Sequence, residues 1–170
     1  MPPVISPARK PAGAVRAITR FPLLFYRFRL GWLFGRRVLV LTHLGRVTGR
    51  RYRTPLEVIH EDRTARELFV MSGWGSRADW YRNLRAGSAA TVQIGLRTHT
   101  PRTRLLDSDD GAAVISQYCR KHRMLARALA RWGLAEPYTG SGEQLRRMAE
   151  VMPVVGLTVP GRPSGHDGQS

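Results

Sequence analysis

The sequence predicts a small antiparallel β-barrel with flanking helices, mainly β with an α+β character. Three observations carry that expectation. Five or six short apolar or β-branched runs are separated by turn signals. These runs do not alternate regularly with helices, which argues against a doubly wound parallel sheet. Hydrophobic residues make up 42% of the 170 positions, enough for one domain with its own core.

Taken in order, residues 1–11 hold four prolines and read as a disordered start. Residues 12–34 read as a helix with Pro22 as a break or restart, and they open a single domain that runs to residue 160. Strands are expected at 38–43, 54–61, 67–72, 90–96 and 98–106, with Gly95 in the turn between the last two. Ser76 and Asp79 match a capping box for a short helix to residue 84 or 85, ended by Gly87. Asp107 starts a second helix, and a very basic helical stretch follows at 123–132. After a Gly- and Pro-bearing loop at 133–140, Ser141 and Gln144 cap a helix to residue 151. Residues 153–159 form the last strand, and 161–170 a loose, flexible tail.

The stretch VLVLTHLGRVTGRRYRTPL, residues 38–56, is the most informative. It reads as a strand, a tight basic turn and a return strand. The tip carries Arg46, Arg50, Arg51 and Arg53, with hydroxyls from Thr48 and Thr54. Gly45 and Gly49 admit left-handed or close-approach backbone there. Bare amides, hydroxyls and guanidinium groups in one small volume suit an anion.

The net charge of +16 points the same way, toward an acidic partner: a phosphorylated cofactor, a nucleic acid or an anionic membrane. Of the 28 cationic residues only Lys10 and Lys121 are lysines. The lone cysteine, Cys119, excludes a disulfide within the chain and favours a reducing, cytoplasmic setting. The apolar run at 21–26 falls far short of the roughly 20 residues a spanning helix needs. No GxGxxG, Walker loop or GxSxG occurs, and the five histidines lack metal-ligand spacing. Metal-dependent and covalent hydrolysis are therefore not expected.

Three segments together, LTHLGRVTGRRYRTPLEV, LFVMSGWGS and ADWYRNLRAG followed by ATVQIG, resemble the deazaflavin-dependent oxidoreductases of the nitroreductase-like type. The resemblance covers about residues 36–106 and rests on TxxGRxTG and WYxNLxA in the right order. It implies a split β-barrel related to the FMN-binding split barrels, and the 8-hydroxy-5-deazaflavin coenzyme F-420 as cofactor, with FMN less favoured. That coenzyme's tail carries a phosphodiester and a poly-glutamate chain. The resemblance sets Arg46, Thr48, Gly49, Arg50 and Arg51 against these anions, flanked by Arg53. Pro55, Leu56 and Glu57 would border the deazaflavin ring. The loop Ser72, Gly73, Trp74, Gly75 and Ser76 would lie near the ring or linker, with Trp80 and Tyr81 beneath. Val47 and Tyr52 stand where the family often has basic residues.

The implied reaction is hydride transfer to a small electron-poor acceptor: an enone, a quinone or a nitro compound. Ser72 and Tyr138 are the candidate proton donors. Two other readings of the chain remain open at this level. One is a split barrel holding FMN or haem. The other is a basic module for nucleic acid or a membrane surface, although no nucleic-acid motif is visible. Six aromatics between Phe21 and Phe34 suit peripheral membrane contact through residues 12–34. A lid over one end of the barrel is the competing expectation. It is favoured because Arg27 and Arg29 fall about 200° apart on a helical wheel.

Overall fold

An apolar run with three consecutive fully buried residues, Leu39, Val40 and Leu41, sets β1 (Val38–Leu44) inside the sheet. The computed structural model describes residues 37–160. The sequence expectations for residues 1–34 and 161–170 lie outside them. β1 pairs antiparallel with β2 (Arg51–Asp62) on one side and β4 (Ala90–Ile94) on the other. β3 (Glu67–Met71), β5 (Arg97–His99), β6 (Arg102–Leu105) and β7 (Val154–Thr158) complete an antiparallel sheet of order β5-β4-β1-β2-β3-β7-β6.

Connectivity forces this sheet to curl. β5 and β6 are its two edges, yet only residues 100 and 101 join them. That link reaches about 11 Å, whereas seven flat strands would span about 29 Å. The edges must approach one another, and the result is a split barrel. A bulge assists the bend: Val58 pairs with Val70 and His60 with Phe69, leaving Ile59 extra. It turns both Ile59 and His60 to the outer face, where the His60 ring lies 5.6 Å from Phe69.

The expected single strand at 98–106 is corrected by this topology. Pro101 has no N–H for a ladder, so the run breaks there and its halves join opposite edges. Ser76 and Asp79 do not form a capping box either. Residues Gly75–Arg77 take one 3-10 turn, and α1 (Asp79–Arg85) starts from Ala78 without a side-chain cap. The other two caps form as the sequence implies. Asp107 accepts from the Asp110 N–H to open α2 (Ser108–Lys121). Ser141 accepts from the Gln144 N–H to open α4 (Gly142–Val151). α3 (Arg123–Leu134) extends past the expected end at residue 132.

Two cores share the sheet. Inside the curl, Leu39, Leu41, Leu56, Leu68, Val70, Val92 and Leu157 pack with Trp80, Tyr81 and Leu84 of α1. Outside, α2 and α4 cover β3 and β7 through Phe69, Ile115, Met148 and Val154. Each fully buried Leu or Ile contributes about 1.5–3 kcal/mol.

The edge strand β6 is secured by charge. Arg104 donates Nε and Nη2 to the Glu67 carboxylate, each at 3.2 Å, and Nη1 to Asp110 at 2.8 Å. These contacts cross β7 at Gly156, where a Cβ would overlap the Glu67 carboxylate. Gly156→Val should therefore lower stability by about 1–3 kcal/mol. A fall in the urea midpoint at constant m-value is the expected reading, and an unchanged midpoint would contradict this packing.

Candidate functional site

The β1–β2 turn is closed by its own backbone. The Gly45 N–H donates to the Arg50 carbonyl and the Gly49 N–H to the Gly45 carbonyl, both at 2.8 Å. A Cβ on Gly45 would sit 2.8 Å from the Tyr52 ring and 2.9 Å from Thr48 Oγ1, so the close approach demands glycine. Gly49 takes φ +63°, a left-handed conformation. Thr48 accepts the Arg50 N–H at 3.3 Å.

Beneath this turn lies a chain of buried side chains. Asn83 Oδ1 accepts both the backbone N–H and Nη1 of Arg46, each at 3.1 Å. Asn83 Nδ2 donates to His43 Nδ1 at 2.9 Å, and His43 Nε2 lies 3.2 Å from Thr54 Oγ1. The donor inventory assigns every proton. The Arg46 amide fixes the carboxamide orientation, so His43 Nδ1 accepts and Nε2–H donates. Thr54 Oγ1 accepts that bond, and among the described residues its own proton has no other partner. His43 is 2% exposed and Asn83 likewise 2%. Burial pushes the His43 pKa down, against the opposing pull of the Leu44 backbone and the Asp79 charge.

Strand alternation divides the arginines. Tyr52 and Thr54 face the barrel interior with His43, and Tyr52 stacks on the imidazole at 5.9 Å. Arg51 and Arg53 face the other way, and Arg53 Nη2 donates to Gln93 at 3.1 Å. Arg46 is held by Asn83 and lies 3.8 Å from Asp79. Arg50 and Arg51 are exposed and in no ion pair among the described residues.

The second neighbourhood is the loop after β3. Ser72 is fully buried and its hydroxyl donates to the Gly75 carbonyl at 2.7 Å. Gly75 takes φ +65°, and a Cβ there would meet the Val151 carbonyl at 2.6 Å. Trp74 meets Trp132 of α3 edge-on at 5.2 Å, and the Trp132 indole N–H donates to the Gly73 carbonyl at 3.1 Å. Gly73, Trp74, Gly75, Trp132, Gly133, Val151 and Met152 line a shallow surface cleft with room for little more than a water molecule. Ser76 is exposed on the short turn that leads into α1.

Other residues singled out by sequence fall elsewhere. Pro55, Leu56 and Glu57 alternate: Leu56 enters the interior core, while Glu57 accepts from the Tyr118 hydroxyl at 2.9 Å on the outer face. Burial first, and the Glu57 charge second, raise the Tyr118 pKa. Trp80 and Tyr81 are core residues, their rings perpendicular at 6.0 Å. Burial raises the pKa values of both the Tyr138 hydroxyl and the buried Cys119 thiol. No hydrogen bond links Ser72 to Tyr138. His43, Asn83 and Trp132 escaped the sequence reading as site residues, although His43 and Asn83 sit inside the two quoted motifs.

The fold and these loops define a split barrel with a basic hairpin at one end. The F420H2-dependent quinone reductase family model matches residues 28–125, more than half of the chain. The protein belongs to that family, is an oxidoreductase, and has coenzyme F-420 as its cofactor. Comparison with the curated proteins returns no match. A solved structure from Agrobacterium tumefaciens, a protein of unknown function, aligns at TM-score 0.51 and 17% identity, covering 92% of this chain and 59% of that one. An F420-H2 dependent reductase aligns at 0.48 and 16%, covering 72% and 95%. An FMN-binding, pyridoxamine 5'-phosphate oxidase-related protein from Nostoc punctiforme aligns at 0.47 and 14%, covering 89% and 82%. Among the described residues no helix is long and apolar enough to cross a membrane, and no cluster fits a metal ion.

The buried histidine has a pH consequence. Its folded pKa is depressed, so the unfolded chain binds the proton first and stability rises with pH. The contribution is complete above the ordinary value of 6.5 and is lost as pH falls from there toward the folded pKa. Protonating Nδ1 would also break the Asn83 bond. Denaturation midpoints measured between pH 7.5 and about 5 should fall, and His43→Gln should flatten that fall. An identical pH profile in the variant would count against the relay.

Proposed function

We propose that this protein reduces a small electron-poor acceptor of the quinone type, with the basic hairpin gripping the acidic tail of coenzyme F-420. The carrying observation is the pair of exposed arginines, Arg50 and Arg51, in no ion pair among the described residues on a turn whose neighbouring arginines are engaged. The donor set fits the group: a phosphodiester and carboxylates call for unpaired guanidinium groups, and Thr48 adds a hydroxyl. Bound in reduced form, the coenzyme supplies a hydride.

The chain's own residues supply placement. In this reading Asn83 fixes the turn from below, so Arg50 and Arg51 meet the tail from a rigid platform. Thr54 offers its one uncommitted O–H from the barrel interior, oriented by His43 Nε2–H. Trp74 and Trp132, in edge-on contact at 5.2 Å, give the loop after β3 an aromatic rim against which a flat acceptor would rest. Ser72 and Tyr138 remain candidate proton donors, but the Ser72 proton is already directed toward the Gly75 carbonyl. Solvent at the open cleft is the simplest proton source for the reduced acceptor. An enone or nitro acceptor would use the same surfaces.

Titration of oxidised F-420 and, separately, FMN tests the reading. F-420 should bind more tightly, and salt should weaken it, since exposed charges are screened within about 10 Å at 0.1 M. Arg50→Ala with Arg51→Ala should cost about 1.5–3 kcal/mol of binding per guanidinium while the melting temperature holds. Normal binding by the double variant would return the hairpin to a merely solvated surface. Among acceptors, a benzoquinone or naphthoquinone should be consumed in steady state, and no turnover of either would overturn the quinone assignment.

A further inference from the structure

Apart from Trp132, which also walls the cleft, α3 presents an outward surface that neither the hairpin nor the cleft explains. Its buried side is made of small residues, Ala126 and Ala130. Its outer side divides into two adjoining rows at i, i+4, i+8 spacing. Met124, Ala128 and Trp132 form one row, with Leu125 beside it. Arg123, Arg127 and Arg131 form the other. At 3.6 residues per turn the apolar row with Leu125 covers about 100° of the helix. Met124 is 76% exposed, Trp132 55% and Leu125 45%. Such large apolar side chains, contiguous and bordered along one side by a row of arginines, mark an interaction surface.

Charge identifies the occupant. Arg120 and Lys121 at the end of α2 join the three arginines, and no acidic residue occurs between Asp110 and Glu136. Among the described residues none of these five cations is in an ion pair. A second copy of this chain would oppose like rows of guanidinium groups. The first 36 residues bring seven more cations and no acid, so they too are mismatched. What complements an apolar strip bordered by cations is an apolar phase bordered by anions.

We propose that the outer face of α3 docks on an anionic lipid bilayer, with Met124, Leu125 and Trp132 at the acyl boundary and the arginine row on the phosphates. Trp132 belongs to both the docking row and the wall of the Trp74 cleft, so the docked protein holds that cleft beside the lipid. The docking surface stands independently of which acceptor is reduced.

The test uses the full chain with Met124→Cys carrying an environment-sensitive dye. Cys119 is 1% exposed and escapes labelling. With phosphatidylglycerol–phosphatidylcholine vesicles the dye emission should shift to the blue. Pure phosphatidylcholine should leave it unchanged. In the unlabelled protein, Arg127→Ala with Arg131→Ala should weaken sedimentation with the anionic vesicles about thirtyfold, roughly fivefold per arginine, at unchanged melting temperature. Sedimentation with no dye shift would put the contact elsewhere on the molecule and overturn the assignment to α3. No sedimentation, or a larger dye shift on duplex DNA than on vesicles, would overturn the lipid assignment.

Discussion

The carboxamide of Asn83 couples the two ends of the site. Its oxygen takes two protons from Arg46 on the hairpin, and its nitrogen gives one to His43 inside the barrel. Without that bridge the turn would lose its tie to the interior core, keeping its backbone bonds, the Thr48–Arg50 bond and the Arg46–Asp79 contact, and the buried imidazole would lose the partner that fixes its tautomer. An unsatisfied buried polar group costs about 1–3 kcal/mol, so neither side can release the other cheaply. Asn83 rides on α1, whose Trp80, Tyr81 and Leu84 are sunk in the interior core. The rigidity of the core thereby reaches the exposed turn.

The curl of the sheet makes this possible. Two residues joining opposite edges oblige the strands to wrap, and α1 sits against the inner core with its polar face toward β1. One helix thus follows directly from the Ser72 loop and ends beneath the hairpin. The two neighbourhoods are separate in function but share this support. At the hairpin, preorganisation lowers the entropy cost of gripping a flexible polyanion. At the loop, Gly75 against the Val151 carbonyl and Trp132 against the Gly73 carbonyl hold the aromatic walls.

Much of this was legible in the sequence where the cause is local. The apolar run at 38–41, the caps at Asp107 and Ser141, and the glycines of the hairpin are each decided within a few residues. Ser76 misled because a capping pattern does not reveal that a 3-10 turn can occupy the same residues. The split at Pro101 was readable from its missing N–H, but not the placement of its halves on opposite edges, which depends on the whole sheet. The His43–Asn83 bond joins residues 40 apart, and the Trp132–Gly73 bond residues 59 apart. Such pairs are properties of the tertiary fold, and neither partner type signals the contact on its own. Strand alternation likewise separates Leu56 from Glu57, neighbours in sequence that serve opposite faces.

The central claim is that the hairpin meets the coenzyme through Arg50 and Arg51 while Arg46 stays bound to Asn83. Side-chain nitrogen NMR during titration with oxidised F-420 tests it most directly. The Arg50 and Arg51 guanidinium resonances should move with ligand, and the Asn83 carboxamide and Arg46 signals should stay near their free positions. Perturbations confined to other regions, with Arg50 and Arg51 unmoved at saturation, would contradict it.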